Sequence, residues 1–232
     1  MMDIRHADCF DFLPTVKDGS IDAVITDPPY EISRESGFAQ GNNPEFDRLK
    51  VSMDFGEWDK NFVGMDDVIK HFYRVLKPHG TIIIFYDLWK LTTLADWMTA
   101  AGFKQLRFIE WVKTNPVPLN QSVNYLTNAR EIALTGVKKS KPTFHGKYDN
   151  GIYSYPIAHG PDRIHPTQKP VELIKALVLK HTNANDTVLD CFLGSGTTAV
   201  ACQKTERNFT GCEKHKPYYD HCKGRVRQSL FT

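Results

Sequence analysis

Two short stretches carry residue types better suited to chemistry than to folding. The first is "ITDPPY", Ile25 to Tyr30. An apolar run ends there on a carboxylate and then meets two prolines and a tyrosine. Asp is a poor strand former and Pro donates no ladder hydrogen bond, so regular structure gives no reason for either. An exocyclic amine on a nucleobase is a poor nucleophile, because its lone pair is delocalised into the ring. A hydrogen-bond acceptor aimed at its protons favours localisation of that pair on nitrogen. Asp27 offers a carboxylate oxygen and Pro28 a backbone carbonyl, and Pro28 and Pro29 restrict φ and hold both in place. Tyr30 adds a flat face for stacking, worth ~1–3 kcal/mol per base. A duplex base reaches such a pocket only when it is flipped out of the stack.

The second stretch is "GSGTTA", Gly194 to Ala199, which fits G-x-G-x-x-A after a strand and before a helix. That pattern is shared with dinucleotide-binding folds. Gly194 and Gly196 let the backbone approach a ligand closely. Glu213, at the end of the next apolar run, is placed to accept hydrogen bonds from ribose hydroxyls. Asp190 separates the candidate ligands. A pyrophosphate on this loop would meet its carboxylate and be repelled. S-adenosylmethionine has no phosphate, and its ammonium and sulfonium would be attracted.

These stretches need elements to hold them. Short apolar runs alternate with helical periodicity. "IDAVIT" (Ile21 to Thr26), "TIIIFY" (Thr81 to Tyr86), "QLRFIEWV" (Gln105 to Val112), "EIALTGV" (Glu131 to Val137), "TVLD" (Thr187 to Asp190) and "NFTGC" (Asn208 to Cys212) read as strands, and "DIRHAD" supplies one more. Met65, Val68, Ile69, Phe72, Val75 and Leu76 recur at helical spacing, with "KPHG" as the stop. A second helix runs from Leu91 to Ala101 and closes on Gly102. A third begins with Pro170 at its first position, and the C-terminus is helical. Lys138 to Ile164 shows no clear period. Strands alternating with helices predict a doubly wound, mostly parallel α/β sheet, whose ligands sit at the carboxyl ends of the strands. Asp27 and Asp190 each follow a strand, so the two loops are expected to open at one edge.

Composition narrows the class. The chain has 232 residues, 41% hydrophobic and 24% charged, with a net charge of +2, an ordinary globular balance. The lysines from Lys138 to Lys147 and the basic C-terminal run suit local phosphate contact. Five cysteines without a CxxC pair read as reduced thiols in a cytoplasmic protein and match no common zinc spacing. The apolar runs are too short to span a bilayer.

"TDPPY" together with "LDCFLGSGTTAVAC" resembles the S-adenosylmethionine-dependent amino-methyltransferases that act on DNA. "HPTQKPVELIKALV" (His165 to Val178) is similar to the segment preceding the cofactor loop in their β class, and the catalytic motif comes first, the circularly permuted order of that class. "MDFGEWDKNF" and "WVKTNPVP" resemble a small-sized subgroup acting on adenine. The resemblance implies a Rossmann-like, seven-stranded, mostly parallel sheet with one antiparallel strand, and an N-terminal strand beside the one ending at Cys212. It implies Asp27, Pro28, Pro29 and Tyr30 as the catalytic tetrad. For S-adenosyl-L-methionine it implies Asp8 at the adenine and Glu213 at the ribose. Asp190, Phe192, Gly194, Ser195, Gly196 and Thr197 fall around the methionine part, with His165 and Thr167 beside the carboxylate end and Asp27 at the cofactor's reacting end.

The expected activity is site-specific methylation of the 6-amino group of adenine in double-stranded DNA. The alternatives are a cytosine 4-amino methyltransferase and a nicotinamide-dependent oxidoreductase. The expected organisation is one catalytic domain over residues 1–232, with 138–164 as a short target-recognition insertion and 31–61 as a DNA-facing loop. Thr114 to Tyr125 is a further candidate for reading bases. A homodimer and a cognate restriction endonuclease are the partners that the resemblance adds to DNA.

Overall fold

The computed structural model describes residues 1–29, 62–116, 126–139, 141–158, 163 and 167–229. The strands are β1 (Met2–His6), β2 (Ile21–Thr26), β3 (Leu76–Tyr86), β4 (Phe103–Lys113), β5 (Arg130–Lys138), β6 (Ile152–Tyr155), β7 (Thr187–Asp190) and β8 (Asn208–Glu213). The helices are α1 (Cys9–Phe12), α2 (Met65–Val75), α3 (Leu91–Ala101), α4 (Val171–His181), α5 (Thr197–Lys204) and α6 (Lys216–Gln228). The strands form one sheet in the order β1-β8-β7-β2-β3-β5-β4-β6. Among the described residues only β5 runs against its neighbours. The N-terminal strand pairs with β8, as the resemblance implied.

The central strands β2, β7, β8 and the second half of β3 are buried on both faces, which is why they read as continuous apolar runs. Along β2, Val24 faces a core built with α2 and α3, while Ala23 and Ile25 face a second core built with α4, α5 and α6. β3 alternates in the same way, with Ile82 and Ile84 on the first side and Ile83 and Phe85 on the second. The helices are amphipathic to match. Val68, Ile69, Phe72 and Val75 of α2 are fully buried, and Gly102 closes α3 with φ 103°. Among the described residues no helix is long and apolar enough to cross a membrane.

Three features differ from expectation. Among the described residues the sheet has eight strands rather than seven, because Ile152 to Tyr155 pairs in parallel with the end of β4. Those four residues follow an Asp-Asn-Gly turn inside a polar stretch, too short for a period-2 signal to stand out. "KPHG" does not lie between helix and strand but extends β3. The register between β2 and β3 shifts there, from Ile21 opposite Leu76 to Ala23 opposite Thr81, and His79 takes a φ of 74°. Pro170 is the cap of α4 rather than its first residue.

Along the chain the sheet grows in two directions from one seam. β2 leads outward to β3, while β7 leads the other way to β8, and β2 and β7 are adjacent and parallel. Such a switch point opens a crevice beyond the carboxyl ends of the two strands. The strands on this side pack tightly. Gly211 of β8 lies opposite Asp190, and a Cβ there would sit 2.0 Å from the Asp190 carbonyl oxygen, a backbone atom with nowhere to go. Gly211→Ala is therefore expected to cost about 1–3 kcal/mol. The melting temperature should fall by roughly 2–12 °C. An unchanged melting curve would contradict this packing.

Candidate functional site

The crevice is a cavity of about 550 Å³ lined by residues from both sequence motifs. That volume is within the ~300–1,000 Å³ of small-molecule sites. Ile25, Thr26, Asp27, Pro28 and Pro29 form one wall as the chain leaves β2. Asp190, Phe192, Gly194, Ser195 and Thr197 form another as the chain leaves β7 and enters α5, with Thr167 beside them. Asp8 and Glu213, at the ends of β1 and β8, complete the rim. The expected convergence of the two loops is thus observed. Gly196 does not line the cavity. It caps α5 with φ 81°, and a Cβ there would lie 2.4 Å from Cys222 Sγ, so its part is to let α6 close over the loop. Tyr30 and His165 lie outside the described residues, as do 31–61 and most of Thr114 to Tyr125.

Direct bonds join the two loops. Thr26 Oγ1 donates to Asp190 Oδ1 at 2.7 Å, and the Phe192 amide donates to the same oxygen at 3.0 Å. Burial pushes the Asp190 carboxyl up to about 6, against the pull of Thr26, Phe192 and Thr198. Glu213 takes the Gly194 amide at 2.8 Å and the His215 amide at 2.7 Å. Burial raises its carboxyl too, and those amides offset part of the rise. Asp8 caps α1 through the Phe10 amide and pairs with Lys214 at 2.8 Å. Burial alone would raise Asp8; Lys214 and the Phe10 amide together hold it low. Arg225 of α6 clamps the glycine loop, donating to the Ser195 carbonyl at 3.1 Å and to Thr197 Oγ1 at 3.2 Å.

Asp27 carries a partner that no sequence motif announces. Its Oδ2 forms an ion pair with Lys169 Nζ. Lys169 also reaches Glu131 Oε2 at 3.1 Å, and Glu131 Oε1 pairs with Lys113 at 2.8 Å. Lys169 lies within the "HPTQKP" segment, but nothing in its spacing points to Asp27, Glu131 or Lys113. The apolar wall, which includes Phe62, Phe85 and Phe192, was likewise not legible as a wall. Phe62 meets the Phe192 ring edge-on at 5.2 Å.

The electrostatics discriminate between ligands. The Gly194 amide is already given to Glu213, and Asp190 lies beneath the same loop. A phosphate there would face two carboxylates, and of the basic groups nearby Lys214 is held by Asp8, Lys169 by Asp27, and Arg225 is bonded to the Ser195 carbonyl and Thr197. The loop suits a cationic, phosphate-free ligand, which argues against the nicotinamide alternative.

Comparison with known proteins agrees. Residues 21–224 match the family model described as DNA methylase. The chain belongs to that family. It is 33% identical to the type II methyltransferase M2.LlaDCHI of Lactococcus lactis subsp. cremoris, over 96% of this chain and 88% of that protein. It is 32% identical to the type II methyltransferase M.HinfI of Haemophilus influenzae, over 97% of this chain and 68% of that protein. Among solved structures, the M1.HpyAVI–SAM complex superposes with a TM-score of 0.72 at 32% identity, covering 97% of this chain and 100% of that one. The PvuII cytosine-N4-specific DNA methyltransferase gives the same TM-score at 16% identity, a likeness of fold.

In this DNA methylase the buried Asp190 has a consequence for stability. Its folded-state carboxyl titrates near 6, above its ordinary value of 3.8, so the native state binds the proton more tightly than the unfolded chain. The stability tied to that proton is present at low pH and is lost as pH rises from the unfolded value through the folded one. The loss is on the order of 3 kcal/mol. Asp190→Asn escapes it. In urea unfolding, the stability difference should move in favour of the Asn variant between about pH 4 and about pH 7, then level off. A difference independent of pH would refute the assignment.

Proposed function

We propose that this protein is a site-specific DNA methyltransferase that transfers a methyl group from S-adenosyl-L-methionine to the 6-amino group of a flipped-out adenine. The observation that carries the reading is the shared cavity. The Asp27 carboxylate and the glycine loop with Glu213 face one space, so a donor held by one and an acceptor amine held by the other can meet.

The donor set fits this cofactor. The carboxylates of Glu213 and Asp8 suit neutral hydroxyl and amino donors, and the acidic surroundings of the glycine loop suit an ammonium. Asp8, Asp27, Phe192, Gly194, Ser195, Thr197 and Glu213 are the described residues that would hold it, with Thr167 at the margin, Asp190 fixing the loop from below and Gly196 allowing its closure. When bound, S-adenosyl-L-methionine supplies a methyl group activated by a positively charged sulfur.

The chain's own part is positioning and polarisation. Asp27 accepts a hydrogen bond from the target amine, and the Pro28 carbonyl serves as a second acceptor. Both act on a nitrogen whose lone pair must turn out of the ring plane. Pro28 and Pro29 restrict the corner so that the acceptors do not reorganise during transfer. Phe62, Phe85 and Phe192 exclude water from the space beside Asp27. Tyr30, next along the motif, is assigned the stacking face.

The same reading takes double-stranded DNA as the substrate, with 31–61 and 138–164 as the segments that meet it. A cytoplasmic location, a homodimer and a cognate restriction endonuclease belong to it as well.

The test is a methyl-transfer assay on duplex DNA, followed by digestion and nucleoside mass analysis. The expected product is N6-methyladenine; 4-methylcytosine would overturn the choice of base. Asp27→Ala should still bind the cofactor in calorimetry, through Asp8, Glu213 and the glycine loop, but lose about 10²-fold or more in turnover. Full turnover in that variant would remove Asp27 from the chemistry.

A further inference from the structure

We infer that Lys169 is a positioning residue for methyl transfer, holding the Asp27 carboxylate ionised and fixed so that it acts only as an acceptor towards the target amine. The inference rests on the reading of Asp27 given above.

The geometry is specific. Lys169 precedes α4, and its side chain is only 4% exposed. Its ammonium pairs with Asp27 Oδ2, reaches Glu131 Oε2 at 3.1 Å and lies 5.1 Å from the centre of the Phe85 ring. Its backbone is fastened as well, since Thr197 Oγ1 donates to the Lys169 carbonyl at 3.2 Å. Glu131 is the second residue of the antiparallel strand β5, which brings it to the carboxyl edge of the sheet. There it meets Lys113, the last residue of β4, at 2.8 Å. The chain thus gathers alternating charges from four places: Asp27 after β2, Lys169 before α4, Glu131 on β5 and Lys113 on β4. Burial alone would raise the Glu131 carboxyl, but the Lys169 and Lys113 charges outweigh it and hold Glu131 low. Glu131 therefore stays an anion and keeps Lys169 in place.

Asp27 needs such a partner. The charged groups placed around it include Lys169, Glu131 with Lys113 behind it, and Asp190 from β7, and Asp8, Glu213, Lys214 and His215 line the same cavity. Asp190 is a carboxylate, and Ile25, Phe62 and Phe85 share the cavity wall. Like charge and apolar surroundings both favour the protonated acid. A protonated Asp27 would turn an O–H towards an N–H and lose half of its acceptor capacity. The ammonium opposes this. As placed, two cations, Lys169 and Lys113, stand among three carboxylates, Asp27, Glu131 and Asp190, with Lys169 in direct contact with Asp27.

The experiment measures single-turnover methyl transfer by the full chain, with duplex DNA and saturating S-adenosyl-L-methionine, across about pH 4 to pH 9, low enough to reach the acid limb of the wild type. Lys169→Met should raise the acid limb by about one pH unit or more, so that its deficit is about tenfold larger near pH 6 than near pH 8.5. Cofactor affinity should stay within about threefold of wild type, because Lys169 meets the glycine loop through its backbone carbonyl, which the Met variant keeps. Lys169→Arg keeps the charge and should keep the acid limb at its wild-type position. Glu131→Gln removes an anion while leaving Lys169 to Asp27, and should move the limb down; it carries the test if the Met variant does not fold. An unmoved limb in Lys169→Met, with activity lowered equally at every pH, would overturn the inference and leave Lys169 a structural group. So would an unmoved limb in Glu131→Gln where only that variant folds. Asp27→Ala separates the two levels. Wild-type turnover there removes the reading of Asp27 and this inference with it. An inactive Asp27→Ala beside an unmoved limb removes only the role of Lys169.

Discussion

The parallel pairing of β2 with β7 sets the position of everything chemical in this molecule. Ala23 lies opposite Val188 and Val24 opposite Leu189, so the two strands end within one residue of each other. The Thr26 hydroxyl then closes on the Asp190 carboxylate across 164 residues of sequence. A slip of one residue would exchange the faces of β2, sending Val24 into the core meant for Ala23 and Ile25 and lifting Asp27 away from the glycine loop. The two cores oppose that slip from both sides, since each strand residue is fitted to its own helical layer. Hydrophobic packing, which is indifferent to chemistry, is therefore what makes the placement of the site reproducible. The carboxyl-edge crevice follows from the switch in sheet direction at this one seam.

Burying Asp190 beneath the glycine loop runs against stability, and the structure reduces the cost without removing it. Three hydrogen-bond donors, from Thr26, Phe192 and Thr198, converge on this carboxylate, and its carboxyl still titrates near 6. A strand end that served only folding would carry an apolar or amide side chain there. The same tension recurs at Glu213, raised by burial although two backbone amides bond to it. These groups give the loop its negative character, and that character distinguishes it from a phosphate-binding turn of the same sequence pattern. The pattern G-x-G-x-x-A describes only a backbone shape. The carboxylates around it decide what the shape receives.

Much of this was legible in the chain. β2, β7, the body of β8 and the turn into α5 follow from apolar runs bounded by Asp and Gly. A strand buried on both faces announces itself over as few as four residues when its flanks are clear. The meeting of Asp27 with the glycine loop followed from one rule, that parallel strands in a doubly wound sheet end at a common edge. What was not legible shares a cause. β6 is short and sits among turn residues, so local pattern is silent and only the free edge of β4 explains why it pairs. "KPHG" carries stop signals, yet the pairing with β2 absorbs it as an irregular extension of β3. Lys169, Glu131 and Lys113 are ordinary charges in sequence, and they become a cluster only when one antiparallel strand reverses direction and delivers Glu131 to the working edge.

That cluster is also hard to account for by stability alone. Removing two ammonium groups and two carboxylates from water is costly, and well-packed apolar residues of similar volume often serve a fold as well or better. Lys169 is the extreme member, 4% exposed and tied to anions from two strands. A folding role would be met by any side chain filling that volume against Phe85. What an apolar side chain cannot do is place a positive charge on one oxygen of Asp27 while Asp190 and an apolar wall stand on its other sides. The sheet thus carries an electrostatic device as well as a geometric one. Adjacency of β2 and β7 brings the acceptor to the donor's cavity, and the reversal at β5 supplies the counter-charge that keeps the acceptor an anion.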